Sequence, residues 1–278
     1  MKHIVSMKWL LARLYEPDLI IVDCRFILGQ PDSGRAAYEE AHIPRAVYLD
    51  LEQDLSSTVT THGGRHPLPD MKQLVQRLGR SGIANDSRVV VYDDQGGAMA
   101  SRLWWLLKYA GHEQVYVMDE GFTAWENASY PVTNEQPVVI PVSYELQLKS
   151  DMVVHMEDVQ KASAEGSSVL IDSREPRRYA GIEEPLDKKA GHVPGAVNYF
   201  WKGVHDASGH WKQADALLAH FTAIPHDADI VVYCGSGVSA CPNVLALGEA
   251  GYRHVRLYAG SWSDWISYSE NPIAIGEE

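Results

Sequence analysis

Four short motifs occur twice in this chain, in the same order, and a sequence written that way is constrained to fold as two copies of one domain. Ile21-Val22-Asp23-Cys24-Arg25 returns as Leu170-Ile171-Asp172-Ser173-Arg174. Ala41-His42-Ile43-Pro44-Arg45-Ala46-Val47 returns as Gly191-His192-Val193-Pro194-Gly195-Ala196-Val197. Val90-Val91-Tyr92-Asp93 returns as Val231-Val232-Tyr233-Cys234, and Gly121-Phe122-Thr123-Ala124-Trp125 as Ser261-Trp262-Ser263-Asp264-Trp265. The spacing is about 150 residues for the first two pairs and about 140 for the last two, so one loop differs in length between the copies.

Each copy alternates short β-rich runs with amphipathic stretches. Leu19–Asp23, Ala46–Leu49, Arg88–Tyr92 and Gln114–Met118 read as strands, and Met71–Leu78 and Ala98–Tyr109 as helices. Alternation of this kind predicts an α/β fold, a mainly parallel sheet with helices on both faces. Tyr130–Pro137, rich in proline and polar residues, reads as the exposed connection. The expected domains are therefore 1–136 and 137–278. The opening MKHIVSMKWLLARLYEPD carries Lys8, Arg13 and Glu16 and no small-residue cleavage site, so it reads as the first helix of the fold and not as a signal peptide.

The second copy holds the stretch that carries chemistry. Ile230-Val231-Val232-Tyr233 reads as a buried strand, Cys234 stands where it ends, and Gly235-Ser236-Gly237-Val238-Ser239 leads into a helical pattern through Ala240, Val244, Leu245 and Leu247. Ligands in parallel sheets sit outside the carboxyl ends of the strands. Loop amides and a helix N-terminus converging on a sulfur there would favour a thiolate, which makes Cys234 the candidate nucleophile. Copy one has Asp93 in that place, followed by Asp94, and so lacks the nucleophile. It is expected to support the site of copy two. Cys241, on the following helix, and Cys24, beside a strand, read as packing residues.

Composition excludes several classes. A formal net charge of -13 disfavours nucleic acid and anionic membranes as partners, and means that an anionic substrate needs local positive charge. Three cysteines form no disulfide framework and suit a reducing cytoplasm.

With these residues in view, the whole chain resembles the tandem-domain rhodanese-like sulfurtransferases. The carriers are Asp-x-Arg after the first strand, His-Ile/Val-Pro-x-Ala-Val, the Cys234 loop and Gly260-Ser261-Trp262-Ser263-Asp264-Trp265. The family has an inactive N-terminal domain and a catalytic C-terminal one. The Cys234 loop is similar to the Cys-Gly-Ser-Gly-Val-Thr-Ala of 3-mercaptopyruvate sulfurtransferases, whereas thiosulfate-preferring members typically carry Cys-Arg-Lys-Gly-Val-Thr. The resemblance implies a persulfide on Cys234, a proton relay through Ser236, His66 and Glu52, and anion binding by Arg178, with the loop residues Gly235, Gly237, Val238 and Ser239 around the sulfur. Members of the mercaptopyruvate group usually add an arginine in Glu-Pro-Arg-Asp. Here Leu186 stands in that place, and Arg177, Lys188 or Lys189 are the candidates to supply the charge, so thiosulfate stays open as donor. The implied acceptor is a thiol, on a reduced thioredoxin-like protein or a small molecule, or cyanide. The implied chemistry requires no metal, nucleotide or organic cofactor.

Other readings compete. A cysteine-dependent phosphatase needs an arginine six residues after its cysteine, where this chain has Ala240. A non-catalytic interaction module and a protein sulfur relay are the remaining alternatives. His42 and His192 recur in both copies, which favours a structural role, as does the recurrence of Asp23–Arg25 and Asp172–Arg174. His62 and His66 have i, i+4 spacing, but Gly63-Gly64 argues against a helical metal site.

Overall fold

A computed structural model of the chain describes residues 2–276. The described residues form two compact units, each built on a five-stranded, all-parallel sheet.

In the first unit the elements follow as β1 (Ile4–Val5), α1 (Met7–Leu11), β2 (Leu19–Asp23), α2 (Ser33–Glu40), β3 (Val47–Tyr48), α3 (Met71–Arg80), β4 (Arg88–Tyr92), α4 (Ala98–Tyr109), β5 (Val115–Met118) and α5 (Phe122–Asn127). The strand order is β1-β5-β4-β2-β3. Central β4 is Arg-Val-Val-Val-Tyr, with its last four residues buried, as a strand covered on both faces must be. The opening segment differs from the expected single helix. Ser6 accepts the Trp9 amide proton with its Oγ and so caps α1, and the two residues before α1's cap pair as an edge strand with β5, Ile4 opposite Val117.

The second unit repeats the plan with β6 (Val153–Val154), α6 (Met156–Glu165), β7 (Val169–Asp172), α7 (Pro176–Tyr179), β8 (Ala196–Asn198), α8 (Ala214–His220), β9 (Ile230–Tyr233), α9 (Cys241–Glu249), β10 (Val255–Tyr258) and α10 (Ser261–Trp265). Its strand order, β6-β10-β9-β7-β8, is that of the first unit.

The repeated motifs occupy equivalent places in the two folds. Arg25 Nη2 lies 2.7 Å from Asp23 Oδ2 and Arg174 Nη2 lies 2.5 Å from Asp172 Oδ2, both pairs buried. His42 stacks on Tyr38 and exchanges backbone bonds with Thr133, while His192 stacks on Tyr179 and exchanges them with Ala274. Duplicated contacts of this kind hold the fold in each unit independently of any chemistry.

The compact units depart from the expected boundary at residue 136. Residues 137–149 group with the first unit, because Val142, Gln147 and Lys149 donate their amide protons to the carbonyls of Gly79, Ala110 and Tyr109. Residues 58–68, in the middle of copy one, group with the second unit, and residues 209–211 with the first. The 58–68 segment is hooked there by Gly63 N–H to Asp264 Oδ1 at 2.7 Å and Arg65 N–H to Ser263 Oγ at 3.1 Å. His62 adds a bond to Ser267 Oγ at 2.8 Å and stacks on Tyr268. Among the described residues no helix is long and apolar enough to cross a membrane.

Candidate active site

The site lies in the second unit, where β9 ends and the chain turns through 234–240 into α9. Two backbone requirements shape that turn. Gly237 has φ +76°, and a β-carbon on it would fall 2.2 Å from the carbonyl oxygen of Ala259, so glycine is the residue that fits. Its amide then donates to Cys234 Sγ at 3.2 Å, while its carbonyl accepts from Cys241 Sγ at 3.4 Å.

The outer side of the turn is gripped by the start of α10. Cys234 N–H donates to Ser261 Oγ at 3.1 Å, and the amides of Trp262 and Ser263 donate to the carbonyls of Cys234 and Gly235 at 3.0 Å each. Cys234 is therefore almost fully enclosed, at 1% exposure. Val238 is buried behind it, and Val238's carbonyl accepts the first amide proton of α9; Ser239 is half-buried.

His66 and Ser236 meet: His66 Nδ1 lies 2.8 Å from Ser236 Oγ, both residues buried, across 170 positions of sequence. The 58–68 segment brings this histidine to the cysteine loop, and it brings Arg65 as well. A β-carbon placed on Gly235 would meet Arg65 Nη2 at 2.9 Å, Arg178 Nη2 at 3.5 Å and Asp187 Oδ2 at 3.6 Å. Two guanidiniums thus roof the residue that follows the sulfur. Sequence reasoning missed Arg65; its place beside His66 was the available signal.

Arg178 makes a bidentate pair with Glu184 (Nη2 to Oε1, 2.6 Å) and a contact to Asp187 Oδ2 at 3.0 Å. Arg65 pairs with the other oxygen of Asp187. Glu184 also accepts from Arg174 and from the amides of Leu186 and Asp187. Burial raises the Glu184 carboxyl, but the bonds from Arg178 and those two amides outweigh it and hold the group below its ordinary value.

Arg177 is exposed and pairs with Glu183 at 3.0 Å, so the positive charge that faces the loop in addition to Arg178 comes from Arg65. Lys188 is exposed, and Lys189 contributes its carbonyl to Trp262 Nε1. Glu52 belongs to the first unit, where it is exposed and its amide donates to Asp50 Oδ1. Cys24 is buried, and burial pushes its thiol well above the usual range, which disfavours the thiolate.

Asp93, at the place in the first unit that Cys234 holds in the second, shows what such a loop binds. Its carboxylate is buried and accepts four amide protons: Gln95 and Gly97 on Oδ1 at 2.9 Å each, Met99 and Ala100 on Oδ2 at 2.8 and 3.0 Å. The first loop carries its own anion; it is filled as well as lacking a thiol.

Residues 6–128 and 155–268 each match the rhodanese-like domain. The chain belongs to the rhodanese-like family. This rhodanese-like protein is 40% identical, over 99% of both chains, to a Pseudomonas aeruginosa protein described as a probable 3-mercaptopyruvate sulfurtransferase. It is 39% identical to a putative thiosulfate sulfurtransferase, SseB, of Mycobacterium tuberculosis, over 92% of this chain and 90% of that one. Its fold matches the crystal structure of the Escherichia coli 3-mercaptopyruvate sulfurtransferase SseA with a TM-score of 0.82 at 32% identity, covering 95% of this chain and 100% of that one. The tandem rhodanese-like architecture and its place among sulfurtransferases follow, with a sulfur donor and a sulfur acceptor as substrates.

Proposed function

We propose that this sulfurtransferase takes sulfur from 3-mercaptopyruvate onto Cys234 and passes it to a thiol or to cyanide. The observation that carries the choice of donor is the roof over Gly235. Arg65 Nη2 lies 2.9 Å from where a β-carbon would sit, so an arginine at position 235, as in the thiosulfate-type loop, would have to push that guanidinium away from Gly235. The cations stand outside the loop, spaced to hold a carboxylate at a distance from the sulfur under attack.

In the first half-reaction the Cys234 thiolate attacks the donor's sulfur. The S–S bond forms as the C–S bond breaks, leaving a Cys234 persulfide and the enolate of pyruvate. The enolate takes a proton from Ser236 Oγ–H, which His66 replaces through the 2.8 Å contact. Glu52 is assigned as the carboxylate that completes this relay, by its likeness in sequence. The Gly237 amide, which donates to Cys234 Sγ at 3.2 Å, supplies hydrogen-bond stabilisation to the sulfur as charge develops on it. In the second half-reaction an acceptor thiolate, on a thioredoxin-like protein or a small molecule, attacks that outer sulfur and Cys234 is released as thiolate. Cyanide in the same role gives thiocyanate. Three free thiols suit work in a reducing cytoplasm.

Incubation with 3-mercaptopyruvate should add the mass of one sulfur atom to the intact protein and release pyruvate, and Cys234→Ser should abolish both. Steady-state rates with thiosulfate should be lower than with 3-mercaptopyruvate. A protein that releases no pyruvate, or prefers thiosulfate, would overturn this reading in favour of the activity named for the Mycobacterium relative.

A further inference from the structure

Asp187 occupies a place that chemistry reserves for a substrate. One of its oxygens lies 3.0 Å from Arg178 Nη2, and the other is paired with Arg65. The carboxylate therefore spans the two guanidiniums, one oxygen to each, directly above Gly235. Any small carboxylate entering this site would seek the same arrangement. Arg65 and Arg178 are formally balanced by Glu184 and Asp187, so an entering anion meets two cations whose charge is already answered.

The two carboxylates are not equivalent. Glu184 is woven into the fold: it accepts from Arg174, Arg178 and the amides of Leu186 and Asp187. The Asp187 side chain, 3% exposed, makes its contacts with the two arginines that face the loop. It rides on residues 182–190, which have no helix or strand and expose Ile182 and Leu186. Glu184 reads as the fixture, Asp187 as the occupant.

We propose that Asp187 is an internal stand-in for the donor's carboxylate, which the donor displaces on binding, and that it thereby sets how strongly the site takes up anions. The proposal rests on the reading above, in which Arg65 and Arg178 bind the donor. While Asp187 is in place the guanidiniums stay oriented and their charge is screened, so stray anions bind weakly. An entering carboxylate exchanges one oxygen-to-arginine pair for another and frees the Asp187 side chain to turn to solvent. No covalent bond is made or broken in the exchange.

The test compares alkylation of Cys234 by iodoacetate, which carries a carboxylate, and by iodoacetamide, which does not. Asp187→Asn keeps the shape and removes the charge. It should raise the iodoacetate-to-iodoacetamide rate ratio about tenfold, the scale of removing one like charge from a partly screened cationic site, and Asp187→Glu should return the ratio toward that of the wild type. Calorimetric titration with pyruvate reads the same change without using the thiol, and Asp187→Ser supplies the same loss of charge if the asparagine variant does not fold. A ratio that falls or stays constant in Asp187→Asn, with pyruvate binding weakened or unchanged, would overturn the proposal and make Asp187 a residue that merely orients the arginines. Failure of the donor-binding reading looks different: Arg65→Ala and Arg178→Ala would then leave both the ratio and pyruvate binding as in the wild type.

Discussion

The Oγ of Ser261 accepts the amide proton of Cys234 at 3.1 Å, and Ser261 does so from a left-handed backbone, φ +56°, while donating to the Tyr258 carbonyl at 2.9 Å. The corresponding residue of the first unit, Gly121, has φ −77° and no hydroxyl. Ser261 holds a conformation that costs an L-residue about 1–2 kcal/mol, next to the nucleophile. Ser261→Gly should relieve that strain and lose the bond. The expected outcome is a melting temperature close to that of the wild type with Cys234 alkylation and kcat each reduced about tenfold; a variant with unchanged alkylation would show that the hydroxyl serves folding alone.

Ser236 and His66 predict a dependence on the donor. The enolate leaving 3-mercaptopyruvate must be protonated, whereas the sulfite leaving thiosulfate is stable as an anion. Ser236→Ala should lower kcat with 3-mercaptopyruvate by about 10²-fold, the low end for a lost general acid, and change the thiosulfate rate much less. Equal losses with both donors, measured side by side, would remove Ser236 from proton transfer.

Asp93 carries its prediction in four amides. Asp93→Ala leaves the N–H groups of Gln95, Gly97, Met99 and Ala100 without their acceptor. Denaturant unfolding should show a loss of about 3 kcal/mol, the scale of stranded buried donors. Sulfate, able to enter the emptied cradle, should restore more stability to the variant than it adds to the wild type, whose response reports the general salt effect. Equal responses would mean that the loop collapses without its carboxylate.

Glu184 predicts a loss of stability in acid. Its folded-state carboxyl lies below the ordinary value, so its contribution is complete above the unfolded-state value, about 4.3, and is lost as pH falls through the lower folded-state value. Protonation there releases its pairs with Arg178 and Arg174. Thermal melts from pH 7 down to pH 3 should fall less steeply for Glu184→Gln than for the wild type, since the variant has already lost the charge. Parallel curves would assign the acid sensitivity to other carboxylates.

Much of the fold was legible along the chain because its signals are local and occur twice. A run such as Arg88–Tyr92 becomes a central strand on hydrophobicity alone, and the strand boundaries read from such runs lie within a residue or so of those observed. The absence of a cysteine from the first loop could be read from Asp93. The geometry adds that the Asp93 carboxyl group accepts four of the amide protons of that loop.

Sequence by itself determined the duplicated α/β plan, the cysteine at the end of β9 and the asymmetry between the copies, since each depends on residues adjacent in the chain. Tertiary structure alone decided what surrounds the sulfur. Arg65 reaches Asp187 across 122 positions and His66 reaches Ser236 across 170, because the 58–68 segment is hooked to α10 by the backbone amides of Gly63 and Arg65, groups that every sequence carries and no residue letter announces.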